Sequence, residues 1–300
     1  MLAQAETGPD GRFAIDSDQS ISEGAIVYLV AAGGVPSVSK AGGDNKALVF
    51  LSVLGGKPPA AAVVNEFTTV ASVWTATQFL DGAAIKGHPL GLRIAAGNVH
   101  NFVDLGTGGW GEAISGPLNS TLTPTMANFA TLSDVLAGCA TRVKADACDS
   151  LFAAVAAPDG KMPADTLSAA EFIARAPWHN PQKAFALLET FHPVPAGKPA
   201  LRPAPFLPYL TFAPSAWVLP LKFAGGGLKA ASSCSTARAT PGSSIILWLS
   251  PRTRITSGGA ASRSSPPMAR RSRRLSPASP AGACWVPASA SPSTPTTNPG

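Results

Sequence analysis

The chain has no aspartate or glutamate beyond Glu189, only two tyrosines, and no apolar run approaching the ~20 residues that a membrane-crossing helix requires. The last of these absences excludes a helical membrane span. The first divides the chain in two by charge. Up to Glu189 there are 17 acidic residues against 11 Lys and Arg, a net of −6, and after it there are 12 basic residues and no acidic ones, a net of +12. A basic segment following an acidic body ordinarily marks an arm for nucleic acid or an anionic membrane. Met1 to Glu6 lacks both the basic and the apolar regions of a signal peptide, so no export address is expected there. Cysteine is scarce too. Cys139 and Cys148 lie nine apart in the acidic body, while Cys234 and Cys284 lie in the basic part. The close pair fits a disulfide, hence an oxidising compartment, and equally fits two reduced cysteines packed between helices.

What is present reads first as β. Gly11 to Ile15 follows a Gly-Pro-Asp-Gly turn, Ala25 to Ala32 is a β-branched run closed by Gly33-Gly34, and Ala47 to Leu54 is another closed by Gly55-Gly56. Three such strands bury too little alone, so residues 1–62 are expected to be a β-sandwich-like module that has lost strands at its start. The Asp-Gly-Arg-Phe turn resembles bacterial immunoglobulin-like and carboxypeptidase-regulatory-like modules.

From Asn65 the apolar period becomes helical. Asn65 is a cap for a helix with Phe67, Val70, Val73, Trp74 and Phe79 on one face, and a second helix is expected from Leu90 through Ile94 and Val99 to Val103. Thr123-Pro124 starts a third, which buries Met126, Phe129, Leu132, Val135, Leu136 and Cys139. Ala145 to Ala156, Thr166 to Arg175 and Pro181 to Phe191 complete an all-α domain over residues 63–192. Proline is then dense but interleaved with Phe206, Tyr209, Phe212 and Trp217. Residues 193–227 therefore read as an extended segment lying against a surface, or as the first strand of a following β domain.

Residues 228–300 consist largely of Ser, Pro, Ala, Arg and Thr. Literally they are a disordered basic tail. Moving each codon boundary back by one base turns Ser233 to Gly242 into L-L-D-S-E-G-N-P-W, and Ala283 to Gly300 into L-L-G-P-G-F-G-I-A-V-D-A-D-D-K-P-W. One shift thus uncovers an acidic turn followed by Pro-Trp twice, which is a hairpin signal that the literal sequence lacks. The tail is expected to be an out-of-frame translation, disordered, and the fold class to be α+β: a truncated β-sandwich-like module, an all-α middle and a frameshifted tail.

Three stretches carry a family resemblance: Asn65-Glu66-Phe67-Thr68-Thr69-Val70-Ala71, Pro124-Thr125-Met126-Ala127-Asn128-Phe129-Ala130, and Tyr209 to Trp217. They resemble the region preceding the propeller in secreted bacterial proteins with NHL repeats, which are similar to virginiamycin B lyase-like propellers. The resemblance covers about residues 8 to 227. It implies a secreted or cell-envelope protein whose blades follow the Trp217 region, with a non-enzymatic binding or structural role and an extracellular ligand taken by the blades. The alternative it leaves open is a streptogramin-lyase-like enzyme in intact form, with its acid and base on blade loops.

No residue of the chain itself makes a convincing catalytic, cofactor or metal site. His88, His100, His179 and His192 are scattered without ligand spacing. Glu66 could act as a general base, but as the residue after a cap it more simply favours the positive end of the helix dipole. Gly106 to Gly111 has neither the lysine of a phosphate loop nor a leading strand, and reads as a flexible loop. Ser133 and Ser168 lack nucleophile-elbow glycines. Arg270-Arg271-Ser272-Arg273-Arg274 could meet phosphates if the tail is read literally, which leaves nucleic-acid binding through a basic tail as a second alternative, yet no aromatic interleaves the run, which argues against a single-strand stacking platform. The one pair that qualifies as a site is Cys139 with Cys148, expected to bond across an antiparallel helix junction.

Overall fold

The computed structural model describes residues 3–16, 21–22, 25–39, 41–197, 202–225 and 228–232, all within one compact unit. The expectations for the basic tail beyond Ser232, including the arginine run and both shifted-frame segments, lie outside the described residues. The fold is mixed α and β.

Two strands open it, β1 (Val27–Ala32) and β2 (Val49–Gly55), paired antiparallel with Val30 opposite Leu51. The expected strand over Gly11 to Ile15 is not formed. Its turn is made, Gly8 N–H donating to the Arg12 carbonyl at 2.8 Å, but the residues beyond it meet no ladder and Phe13 and Ile15 stay exposed. A segment so short has neither main-chain partners nor a buried face to hold it extended.

The second edge of β2 is covered by helices instead of a strand. Thr69 and Ser72 of α1 (Glu66–Ala76) accept hydrogen bonds from the Leu51 and Val53 amides at 3.0 and 2.9 Å. Thr166, first residue of α7 (Thr166–Arg175), accepts from Val49 N–H and donates to Val49 C=O. Hydroxyls one helical turn apart thus stand in for a neighbouring strand, and main-chain groups that could not be left bare are satisfied. Leu51 and Val53 are fully buried in the same apolar cluster as the helices, so residues 1–62 and 63–192 contribute to one core.

Asn65 caps α1 as its sequence predicts. Its side chain accepts from Thr68 N–H while the Thr68 hydroxyl accepts from Asn65 N–H. After a short turn and the two-residue strands β3 (Leu80–Asp81) and β4 (Ala84–Ile85) comes α2 (Pro89–Val99). It is rotated from the expected face: Ala95, Ala96 and Val99 are buried, whereas Leu90 and Ile94 are more than half exposed. Phe79 explains this, because its ring occupies the space beside two glycines: a carbon added at Gly87 or Gly91 would fall 2.4 or 2.7 Å from it.

Two one-turn helices, α3 (Glu112–Ser115) and α4 (Pro117–Ser120), lead into α5 (Thr125–Ala140). The Thr123 hydroxyl accepts from Thr125 N–H at 3.3 Å at its start. Helix α5 is the axle of the molecule, buried on nearly every side, with Phe129, Leu132, Val135, Leu136 and Cys139 in the core. Helices α6 (Ala147–Ala154), α7 and α8 (Pro181–Phe191) pack around it. The α8 crossing needs glycine: a carbon added at Gly138 would fall 2.1 Å from the Phe191 ring. The chain ends its described course in the antiparallel pair β5 (Lys222–Gly225) and β6 (Leu228–Ser232).

Candidate functional site

Residues 202–222 form a strap that runs antiparallel to α5, and its main chain is held by a polar stripe on that helix. Asp134 Oδ1 accepts from Phe206 N–H at 2.9 Å, and Thr131 Oγ1 accepts from Leu210 N–H at 2.8 Å. Asn128 Nδ2 donates to Val218 C=O at 3.2 Å, and the Thr125 hydroxyl donates to Pro220 C=O. Asn119, at the end of α4, finishes the series by accepting from Lys222 N–H at 2.7 Å and donating to its carbonyl at 3.0 Å. Residues 125, 128, 131 and 134 are three apart, so they form a row that winds about half a turn around α5 as the strap crosses it. The strap's own side chains alternate: Trp217, Leu219 and Leu221 are each 1% exposed, and the residues between them are not fully buried. This is the inside-outside period of a strand.

The upper end of the seam is aromatic. Phe206 stacks on Phe67 with centroids 4.2 Å apart, and Phe67 also meets Trp110 and Phe129 at 4.5 and 4.9 Å. Arg202 ties the start of the strap to the end of α8, its Nη1 reaching the Leu188 and His192 carbonyls and Glu189 Oε2 at 2.6 Å. Lower down, Trp217 N–H donates to the Pro177 carbonyl at 2.8 Å.

Under this end sit two carboxyl groups. Asp134 is fully buried, and desolvation pushes it up to about 8, aided by the nearby charge of Glu66 and opposed by the Phe206 amide. Burial likewise pushes Glu66 up to about 7. Four buried polar atoms along the seam, Asn128 Oδ1, Asp134 Oδ2, Arg202 Nε and Trp217 Nε1, have no hydrogen-bond partner among the described residues.

Cys139 and Cys148 are bonded, with alpha carbons 4.5 Å apart, where the end of α5 meets α6. Asn45, from the loop between β1 and β2, donates to the Cys139 and Ala140 carbonyls at 2.8 and 3.0 Å beside them. The histidines stay apart: His88 caps α2, His179 meets Asn180, and His192 Nε2 lies 3.0 Å from the Asp134 carbonyl oxygen. Among the described residues no group of three or more His, Cys, Asp or Glu could hold a metal ion. The stretch from Asp104 to Gly111 is a tight turn rather than a loose loop. Asp104 Oδ1 accepts from the Gly106 and Thr107 amides, and a carbon on Gly111 would fall 2.5 Å from the His100 carbonyl oxygen. Ser133 donates to the Phe129 carbonyl within its helix, and Ser168 forms a capping box with Asp165.

No family model, curated protein or solved structure matches the chain.

Proposed function

We propose that this chain is the front part of a secreted or cell-envelope bacterial protein with NHL repeats, and that its role is structural and not enzymatic: it fixes the direction in which the polypeptide leaves the helical body toward the blades. The strap seam carries this reading. Five side chains, from Asn119 to Asp134, hold the backbone of the segment that leads out of the body, and they deliver it as strand β5. Such machinery makes sense when the next domain must be positioned, since a free linker needs no hydrogen bonds along its length. The bonded Cys139 and Cys148 support an oxidising compartment.

The gene provides the test. Restoring the shifted frame near codon 228 is expected to give a product that gains β-structure by circular dichroism and resists proteolysis beyond Gly225. A restored product that remains unfolded there, or a source locus with no frame disruption at that point, would overturn the propeller reading.

A further inference from the structure

The strap is attached to the body in a conditional way. Asp134 is the only ionisable residue in α5 and is fully buried, with one carboxyl oxygen on the Phe206 amide and the other without a partner among the described residues. Among the described residues it takes part in no ion pair. From α1 comes a second carboxyl, Glu66. From the end of α8, His192 addresses the Asp134 main-chain oxygen, and Glu189 is bonded to Arg202. Arg202, on the strap, is committed to Glu189 and the last carbonyls of α8. The rings of Phe67, Phe129 and Phe206 supply apolar walls near this end.

We propose that Asp134 is a pH latch: the strap is docked on α5 while this carboxyl keeps its proton, and its upper end lifts when the proton is lost, the charge of Glu66 adding to the effect. An unpaired charge cannot remain in such surroundings without hydration or a cation. Of the elements over Asp134, the strap is the one held by side-chain hydrogen bonds instead of a main-chain ladder. Its departure hydrates Asp134 without breaking a helix. The raised value of Asp134 places the transition at mildly alkaline pH.

Hydrogen exchange of the full chain, followed by mass spectrometry from about pH 6 to about pH 9 and corrected for the chemical rate, tests this. Peptides covering the upper end of the strap, 202–212, are expected to lose protection at least ~10-fold across the range, while peptides from the middle of α5 keep theirs. Asp134→Asn should hold the strap throughout, and Glu66→Gln should move the midpoint to higher pH. Constant strap protection, equal loss in strap and α5, or an unmoved midpoint in Glu66→Gln would each overturn the latch. The Glu66 variant keeps the test decisive should Asp134→Asn not fold.

Discussion

Residue 66 shows how burial turns into a dependence on pH. The carboxyl of Glu66 is pushed from its ordinary 4.5 to about 7 by loss of solvation, so the folded chain holds this proton more tightly than the unfolded chain does. The resulting stability is complete below about pH 4.5 and is lost as pH rises through about 7. Asp134 acts in the same direction up to about 8. Denaturant midpoints should therefore fall between about pH 4 and pH 8, and Glu66→Gln should raise the unfolding free energy at about pH 9 by as much as ~3 kcal/mol while leaving that at about pH 4 nearly unchanged. A midpoint that climbs with pH in the wild type would contradict the upward displacement of both groups. At residue 45 the effect is independent of pH: Asn45→Ala strips two carbonyls at the end of α5 of their donor and should cost about 1–3 kcal/mol in thermal or chemical unfolding.

Among elements, α1 and α5 share a device. Each presents small polar side chains a turn apart to an extended segment, Thr69 and Ser72 to β2 and Thr125 through Asp134 to the strap. Ser72→Ala should leave the Val53 amide buried and bare, at a cost of about 1–3 kcal/mol, whereas Ser72→Thr can keep the acceptor. Gly138→Ala should also destabilise, by about 1–3 kcal/mol, because α5 and α8 must separate to admit the methyl against Phe191. The starts of α1 and α8 are legible in sequence, since the Asn65 cap and Pro181 in the first turn are local signals whose chemistry needs only neighbouring residues. The seam is not legible. Thr131 and Asn128 look like polar interruptions of a helix, and their partners are main-chain groups at separations of 79 and 90 residues, which no side-chain pattern announces. The orientation of α2 escapes the sequence for a related reason: Gly87 and Gly91 make room for Phe79, so small residues, and not Leu90 and Ile94, define the packed face. The strand expected at Gly11 to Ile15 fails because alternation alone does not supply a partner.

For the whole molecule, the disulfide closes a short junction with a sequence separation of 9, so its loss should remove about 2 kcal/mol and leave the fold in place. The check is a Cys148→Ser variant, compared with wild type by thermal melting with and without reductant. A wild-type melting point indifferent to reductant would mean that the bond does not form in solution. The strap also limits which sequences can occupy it. The body reads its backbone, and it uses amides at Phe206, Leu210, Trp217 and Lys222 but only carbonyls at Val218 and Pro220. Prolines sit at 203, 205, 208, 214 and 220, all positions whose nitrogen the body never uses. The proline spacing is thus a negative image of the hydrogen-bond pattern. Relatives of this segment should vary freely in side chains at the outward positions yet never place proline at the four amide donors, and Leu210→Pro should free the strap where Thr211→Pro does not.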